Sequence, residues 1–147
     1  MNRRNFLRQS CASCALGLAG FSAVLAGCTS KRYIIGNMVK DGISIPLNLL
    51  NPADGPMAYY IVRNDKLLFP ICVFHTDKKN YTALWMQCAH QGAELQVSGN
   101  ELVCPAHGSA FDSSGKVTNG PAVNGLRTFP VSVLGDDLFI DLRKRKA

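Results

Sequence analysis

Cys88-Ala89-His90-Gln91-Gly92 and Cys104-Pro105-Ala106-His107-Gly108-Ser109 are the two stretches that decide how this chain is read. Each offers one thiol and one imidazole, and thirteen residues, Gln91 to Val103, separate the pairs. Thiolate and imidazole both suit iron and zinc. A single tetrahedral zinc could take all four, although zinc fingers usually place their cysteines together and their histidines together. The interleaved order suits two metal ions of unlike character, one gripped by both sulfurs and the other by both nitrogens.

The surrounding residues carry a resemblance. Cys88, His90 and Gly92 in the first loop, then Cys104, Pro105, His107, Gly108 and Ser109 followed by Phe111-Asp112 in the second, resemble the Rieske 2Fe-2S family. Gly120-Pro121-Ala122 is similar to the family's proline loop, which covers one side of the cluster, and the likeness runs from about Ile43 to Leu142. It implies one 2Fe-2S cluster per chain, with Cys88 and Cys104 facing inward and His90 and His107 at an exposed tip where electrons pass. It further implies that Gly92 and Gly108 let backbone N–H groups reach the bridging sulfides. Ser109 matches the family serine whose hydroxyl donates to a sulfide. Where high-potential members carry a tyrosine with a second such donor, this chain has Phe111. Hydrogen bonds to sulfur raise the potential, so a value between about −400 mV and about +300 mV is expected. Members in cytochrome bc complexes carry a further cysteine in each loop, joined as a disulfide; the matching positions here are Ala93 and Ala106.

The amino terminus points to a cofactor independently. Asn2-Arg3-Arg4-Asn5-Phe6-Leu7-Arg8 resembles a twin-arginine export signal, which serves proteins that cross a membrane already folded; an ordinary secretory signal is the alternative. Leu25-Ala26-Gly27-Cys28 resembles a bacterial lipobox, which makes Cys28 the acylated first residue of the mature protein. Cys11 to Gly27 is only 17 residues, against the roughly 20 apolar residues of a spanning helix, so it reads as removed; an uncleaved anchor is the alternative. The expected organisation is a signal over 1–27, a lipidated tether over 28–40, a Rieske domain over 41–143 and a basic tail over 144–147. That makes the protein an exported bacterial one on the periplasmic side, anchored to the inner or outer membrane.

Charge and cysteine usage agree with this division. Of the 16 basic residues, Arg3, Arg4 and Arg8 lie in the signal, while all 10 acidic residues follow it. Arg143-Lys144-Arg145-Lys146 closes the chain, either as a solvated terminus or as a contact for anionic lipid or an acidic partner. Basic residues are not interleaved with aromatic ones, which argues against nucleic acid as a partner. With Cys11 and Cys14 in the signal, Cys28 lipidated and Cys88 and Cys104 on iron, only Cys72 is left over, and its apolar run Leu67 to Phe74 makes it a buried strand thiol.

Short apolar runs broken by turn residues predict an all-β fold, a small Rieske-type antiparallel sandwich or barrel with a cluster-binding subdomain of two loops. Strands are expected at Ile43 to Leu49, Met57 to Val62, Leu67 to His75 and Tyr81 to Met86. Two hairpins are expected, Glu94 to Val103 around Ser98-Gly99-Asn100 and Phe129 to Leu142 around Gly135-Asp136-Asp137. His75 is expected at a strand end on the surface, and Trp85 and Met86 as packing beneath the cluster. Function follows as one-electron transfer in a membrane-tethered protein that transforms no substrate itself, its partner a redox protein or a membrane complex. The alternatives are the Rieske subunit of a larger oxidoreductase (bc-type quinol oxidation or arsenite oxidase) and the ferredoxin component of an oxygenase system.

Overall fold

The computed structural model describes residues 33–52, 55–77 and 80–143. The chain divides into two units, Met1–Ser30 and Lys31–Ala147, and every described residue belongs to the second. The export signal, the lipobox with Cys28 and the tail over 144–147 lie outside the described residues. Among the described residues no helix is long and apolar enough to cross a membrane.

Among the described residues, thirteen strands make three sheets. β1 (Tyr33–Ile35), β4 (Tyr59–Arg63), β5 (Ile71–Asp77), β6 (Asn80–Trp85) and β11 (Thr128–Phe129) form the middle sheet in the order β1-β4-β5-β6-β11. β2 (Asn37–Val39), β3 (Gly42–Pro46), β12 (Val131–Leu134) and β13 (Asp137–Asp141) form the base sheet, β12-β13-β3-β2. β7 (Gln96–Ser98), β8 (Glu101–Val103), β9 (Ala110–Phe111) and β10 (Val117–Asn119) form the third sheet, β10-β9-β8-β7. The pairing is antiparallel throughout except that β1 runs parallel to β4.

Side chains alternate faces along a strand, and here the alternation sorts the middle sheet between two cores. Tyr60, Val62, Ile71, Val73 and Ala83 pack with Ile43, Ile45, Leu138 and Ile140 of the base sheet. Their neighbours Ile61, Cys72, Phe74, Leu84 and Met86 pack on the opposite face with Leu102 and Phe111 of the third sheet and with Cys88 and Cys104. Cover on both faces explains why Ile71-Cys72-Val73-Phe74 is continuously apolar, where a sheet wetted on one side would alternate.

The all-β expectation holds, and the structure corrects its details. Of the tether expected over 28–40, residues 28–32 lie outside the described residues and the rest carries strands: Tyr33–Ile35 joins the middle sheet and Asn37–Val39 the base sheet, ahead of the domain start expected at 41. Gly36 lies at that crossing, where a Cβ would come within 2.4 Å of the Ile43 side chain. The strand expected over Ile43 to Leu49 stops at Pro46, which has no N–H for the ladder, and Leu47–Leu50 is a single helical turn, α1. The strand expected from Leu67 begins at Ile71, after Pro70. Both expected hairpins form, turning at Gly99-Asn100 and Gly135-Asp136 with φ of +60° at each glycine.

Gly42 tests how tightly the base sheet is packed: a Cβ there would lie 2.2 Å from the Ile140 carbonyl oxygen and 2.6 Å from the Phe139 ring. Gly42→Ala is expected to cost about 1–3 kcal/mol, read as a lower melting temperature by circular dichroism. Gly99→Asn is expected to stay within about 0.5 kcal/mol of wild type, because no atom lies within 4 Å of a Cβ there and Asn tolerates the positive φ.

Candidate metal centre

Strand ends place the two loops. β6 ends at Trp85, and an antiparallel bridge between Gln87 and Glu94 closes the neck of the first loop. β8 ends at Val103 immediately before the second. Both loops close on themselves in the same way. In the first, the Cys88 N–H donates to the Ala93 carbonyl at 2.8 Å and the Gly92 N–H to the Cys88 carbonyl at 2.9 Å; in the second, Cys104 donates to Ser109 at 2.8 Å and Gly108 to Cys104 at 2.9 Å. Gly92 and Gly108 both have φ of +76°, a conformation that strains any side chain larger than hydrogen. The sequence thus builds one turn twice.

The turns bring all four expected side chains together. Cys88 and Cys104 are buried and free, with their thiols in hydrogen-bonding contact. The rings of His90 and His107 meet edge to face, centroids 5.0 Å apart and planes at 83°. Burial opposes ionisation of the Cys104 thiol, but the backbone N–H groups of His107 and Ala106 and the Cys88 thiol outweigh it, so its pKa sits below the usual cysteine value. His90 Nδ1 is buried without a hydrogen-bond partner. A buried nitrogen with nothing to bond is costly, and a metal is the partner its lone pair fits. Among the described residues no three His, Cys, Asp or Glu side chains converge as they would around one ion. Two contacting thiols and two facing imidazoles supply two donors to each of two irons. The donor set therefore fits a 2Fe-2S group.

Residues around the pair have definite places. Ser109 is fully buried, and its Oγ accepts the Ala122 N–H at 3.1 Å, leaving its own hydrogen to donate elsewhere. Pro121 is exposed beside it, after a cis Gly120–Pro121 bond. Phe111 is fully buried on β9 in the core under the loops. Asp112 closes the turn between β9 and β10 by accepting from the Ser114 hydroxyl at 2.6 Å and the Lys116 N–H at 3.0 Å; the Ser114 bond is the chief reason its carboxyl stays below the usual range. Met86 is buried beneath the loops as expected, but Trp85 packs on the opposite core with the base sheet, edge-on against Phe69 and Phe129, and so is not beneath the loops. His75 is not gathered to the site, nor is it a strand end: β5 runs on to Asp77, and the His75 ring stacks on Tyr81 at 4.9 Å. Two residues that sequence reasoning missed stand against the glycine turns, Gln87 and Asn119. A single carboxamide has no periodic or spacing signal that could have marked either.

Residues 54–130 match the Rieske 2Fe-2S domain, half of the chain, and the chain belongs to that family. Its cofactor is a 2Fe-2S cluster and its chemistry is Rieske-type electron transfer. It is similar to a cytochrome b6-f complex iron-sulfur subunit of Cyanophora paradoxa, 36% identical over 117 residues that cover 73% of this chain and 44% of that one. Another such subunit, from Synechococcus elongatus, is 42% identical over 55 residues, covering 36% of this chain and 31% of the relative. The chain thus spans less than half the length of these curated relatives. Among solved structures, the cyanobacterial plasma membrane Rieske protein PetC3 from Synechocystis PCC 6803 superposes with a TM-score of 0.49 at 27% identity, over 56% of this chain and 85% of that one.

Cys72 is the thiol the site does not use. It is fully buried on β5 in the core beneath the loops, and burial pushes its pKa up to about 12 from an ordinary 9.0. A raised folded-state value means that this contribution is complete below pH about 9 and is lost as pH rises toward about 12. Chemical denaturation across that window should show stability falling with pH, and Cys72→Ala should flatten the fall.

Proposed function

We propose that Cys88 and Cys104 hold one iron of the cluster and His90 and His107 the other, and that the protein carries single electrons between partners at a membrane surface outside the cytoplasm. The observation that carries the ligand assignment is the orphaned, buried Nδ1 of His90 beside His107, over two thiols that touch. When bound, the cluster supplies a centre that accepts and releases one electron. The chain's own residues do the rest. Both thiols lie inside, where buried apolar neighbours exclude water. The N–H groups of His107 and Ala106, aimed at the Cys104 sulfur, offset negative charge there. Gly92 and Gly108 provide the turns, Ser109 a free hydroxyl hydrogen, and Pro121 a cover over one side.

His107 is exposed, so the imidazole side of the pair is where a partner approaches. The surface around it carries no formal charge: residues 87–93, 104–111 and 119–126 include no Asp, Glu, Lys or Arg. Long-range steering therefore has little to act on at the tip, which suits a partner met by short-range apolar contact or held nearby by a common membrane. A lipidated Cys28, five residues before β1, supplies that proximity, because two or more acyl chains anchor a protein stably where one does not. Export by the twin-arginine route would deliver the domain folded, with its cluster in place.

A second reading has an observation of its own. The relatives are iron-sulfur subunits of cytochrome b6-f complexes, which favours this chain as part of a larger oxidoreductase. Co-purification with a haem-bearing partner would decide for the subunit; isolation alone in the membrane fraction would decide for the mobile carrier.

The deciding experiment is electron paramagnetic resonance of dithionite-reduced protein, with iron and acid-labile sulfide assayed in the same sample. A Rieske-type signal is expected from wild type, and its complete loss in Cys104→Ser; a colourless protein holding zinc and no sulfide would reject the assignment. Phe111→Tyr, which adds a hydroxyl in the core under the loops, is expected to raise the reduction potential in protein-film voltammetry through a new bond toward sulfur. An unchanged or lower potential would show that the added hydroxyl does not reach it.

A further inference from the structure

No disulfide holds the loops, since Cys72, Cys88 and Cys104 are all free. Each loop turns back at a glycine with φ of +76°, and a carboxamide from outside the loop stands against each of these turns. Asn119, the last residue of β10, donates through Nδ2 to the Gly108 carbonyl at 2.9 Å and to the Gly120 carbonyl at 3.2 Å. It thereby ties the second loop to the proline loop. At the first loop, Gln87 Oε1 accepts the Trp85 indole N–H at 3.0 Å, and its Nε2 lies where a Cβ on Gly92 would come within 3.2 Å. The Asn119 tie is the stronger, because its amide bonds directly to the backbone of the turn.

Peptide planarity gives that bond leverage. The Gly108 carbonyl and the Ser109 N–H belong to one rigid trans unit and point in opposite directions. With the carbonyl drawn outward to exposed Asn119, the N–H is turned toward the interior, where Ser109 is fully buried. The preceding residue is His107, whose own N–H is aimed at the Cys104 sulfur. A rotation of the Gly108–Ser109 peptide would therefore turn the Ser109 N–H away from the side that the His107 N–H also faces.

We infer that Asn119 is a positioning residue, its carboxamide setting the orientation of the Gly108–Ser109 peptide and so the hydrogen-bonding field around Cys104 and His107. The inference rests on the ligand assignment proposed above and goes beyond it, since Asn119 touches neither ligand side chain.

The test uses full-length holoprotein. Asn119→Leu keeps the volume and removes the donor; Asn119→Asp replaces the donor with a carboxylate facing two carbonyl oxygens; Asn119→Gln retains it. Thr118→Ala is the control, because it removes the neighbouring Thr118–Glu101 bond on the same strand (2.9 Å) without touching the turn. In Asn119→Leu and Asn119→Asp, the paramagnetic resonance spectrum and reduction potential are expected to shift, and iron loss to a chelator to run about five-fold faster. Asn119→Gln should recover part of each change, and Thr118→Ala should match wild type. The inference is overturned if Asn119→Leu keeps the wild-type spectrum and chelation rate, or if Thr118→Ala moves them as far. Should Asn119→Leu not accumulate as folded protein, Asn119→Asp decides by the same criterion. Wild-type protein lacking a cluster signal would instead overturn the ligand assignment itself, a failure visible before any variant is compared.

Discussion

Burial of the middle sheet on both faces is the constraint on which the site depends. Ile71 and Val73 enter one core and Cys72 and Phe74 the other, all at 2% exposure or less. Each large apolar side chain buried in this way contributes roughly 1.5–3 kcal/mol, and the two cores together clamp β5 and β6 from opposite sides. The strand that leads into the first ligand loop is thus immobilised before the loop begins. The second loop is supported from beneath by Leu102 and Phe111, which close the same core from the third sheet.

On that base the ligand loops need few contacts of their own. Each is a short turn closed by two backbone hydrogen bonds near 2.9 Å and bent by one glycine. The duplication has a chemical meaning: both turns open on a cysteine and bend at a glycine four residues on, and although the histidine follows by two residues in the first and by three in the second, the rings meet, which gives a sulfur side and a nitrogen side. Burial then separates them. The thiols lie inward at 3% exposure or less, while the His107 ring reaches solvent. Charge-free loop sequences around that ring keep the local field dominated by backbone dipoles, which makes the orientation of single peptides, such as Gly108–Ser109, matter.

Much of this was legible in the chain itself, for reasons particular to each part. Cys and His at close spacing announce metal chemistry because few other pairings explain them together, and glycine in each loop marks a turn that no other residue enters without strain. β5 and β6 were legible as largely apolar runs bounded by turn residues, and the hairpins at Gly99 and Gly135 as turn residues between paired strands. Four short strands without a hairpin signal were not: β1, β2, β9 and β10 are too short to display a period, and each exists because a neighbouring edge offers hydrogen bonds in register. α1 was misread as strand because Leu47 to Leu50 is as apolar as the strand before it, and the break at Pro46 carries the difference.

The sequence by itself determined the donor types, their alternation, the two glycine turns and the all-β class, because these depend on residue chemistry and on spacing within a few positions. Only the tertiary structure decided that β5 is covered on both faces, that the strand at Tyr33 belongs to the fold, and that Asn119 reaches the Gly108 carbonyl. Those relations join residues far apart along the chain or settle which of several possible hydrogen-bond partners a group takes. Local pattern cannot choose among such partners; the packing of the whole domain does.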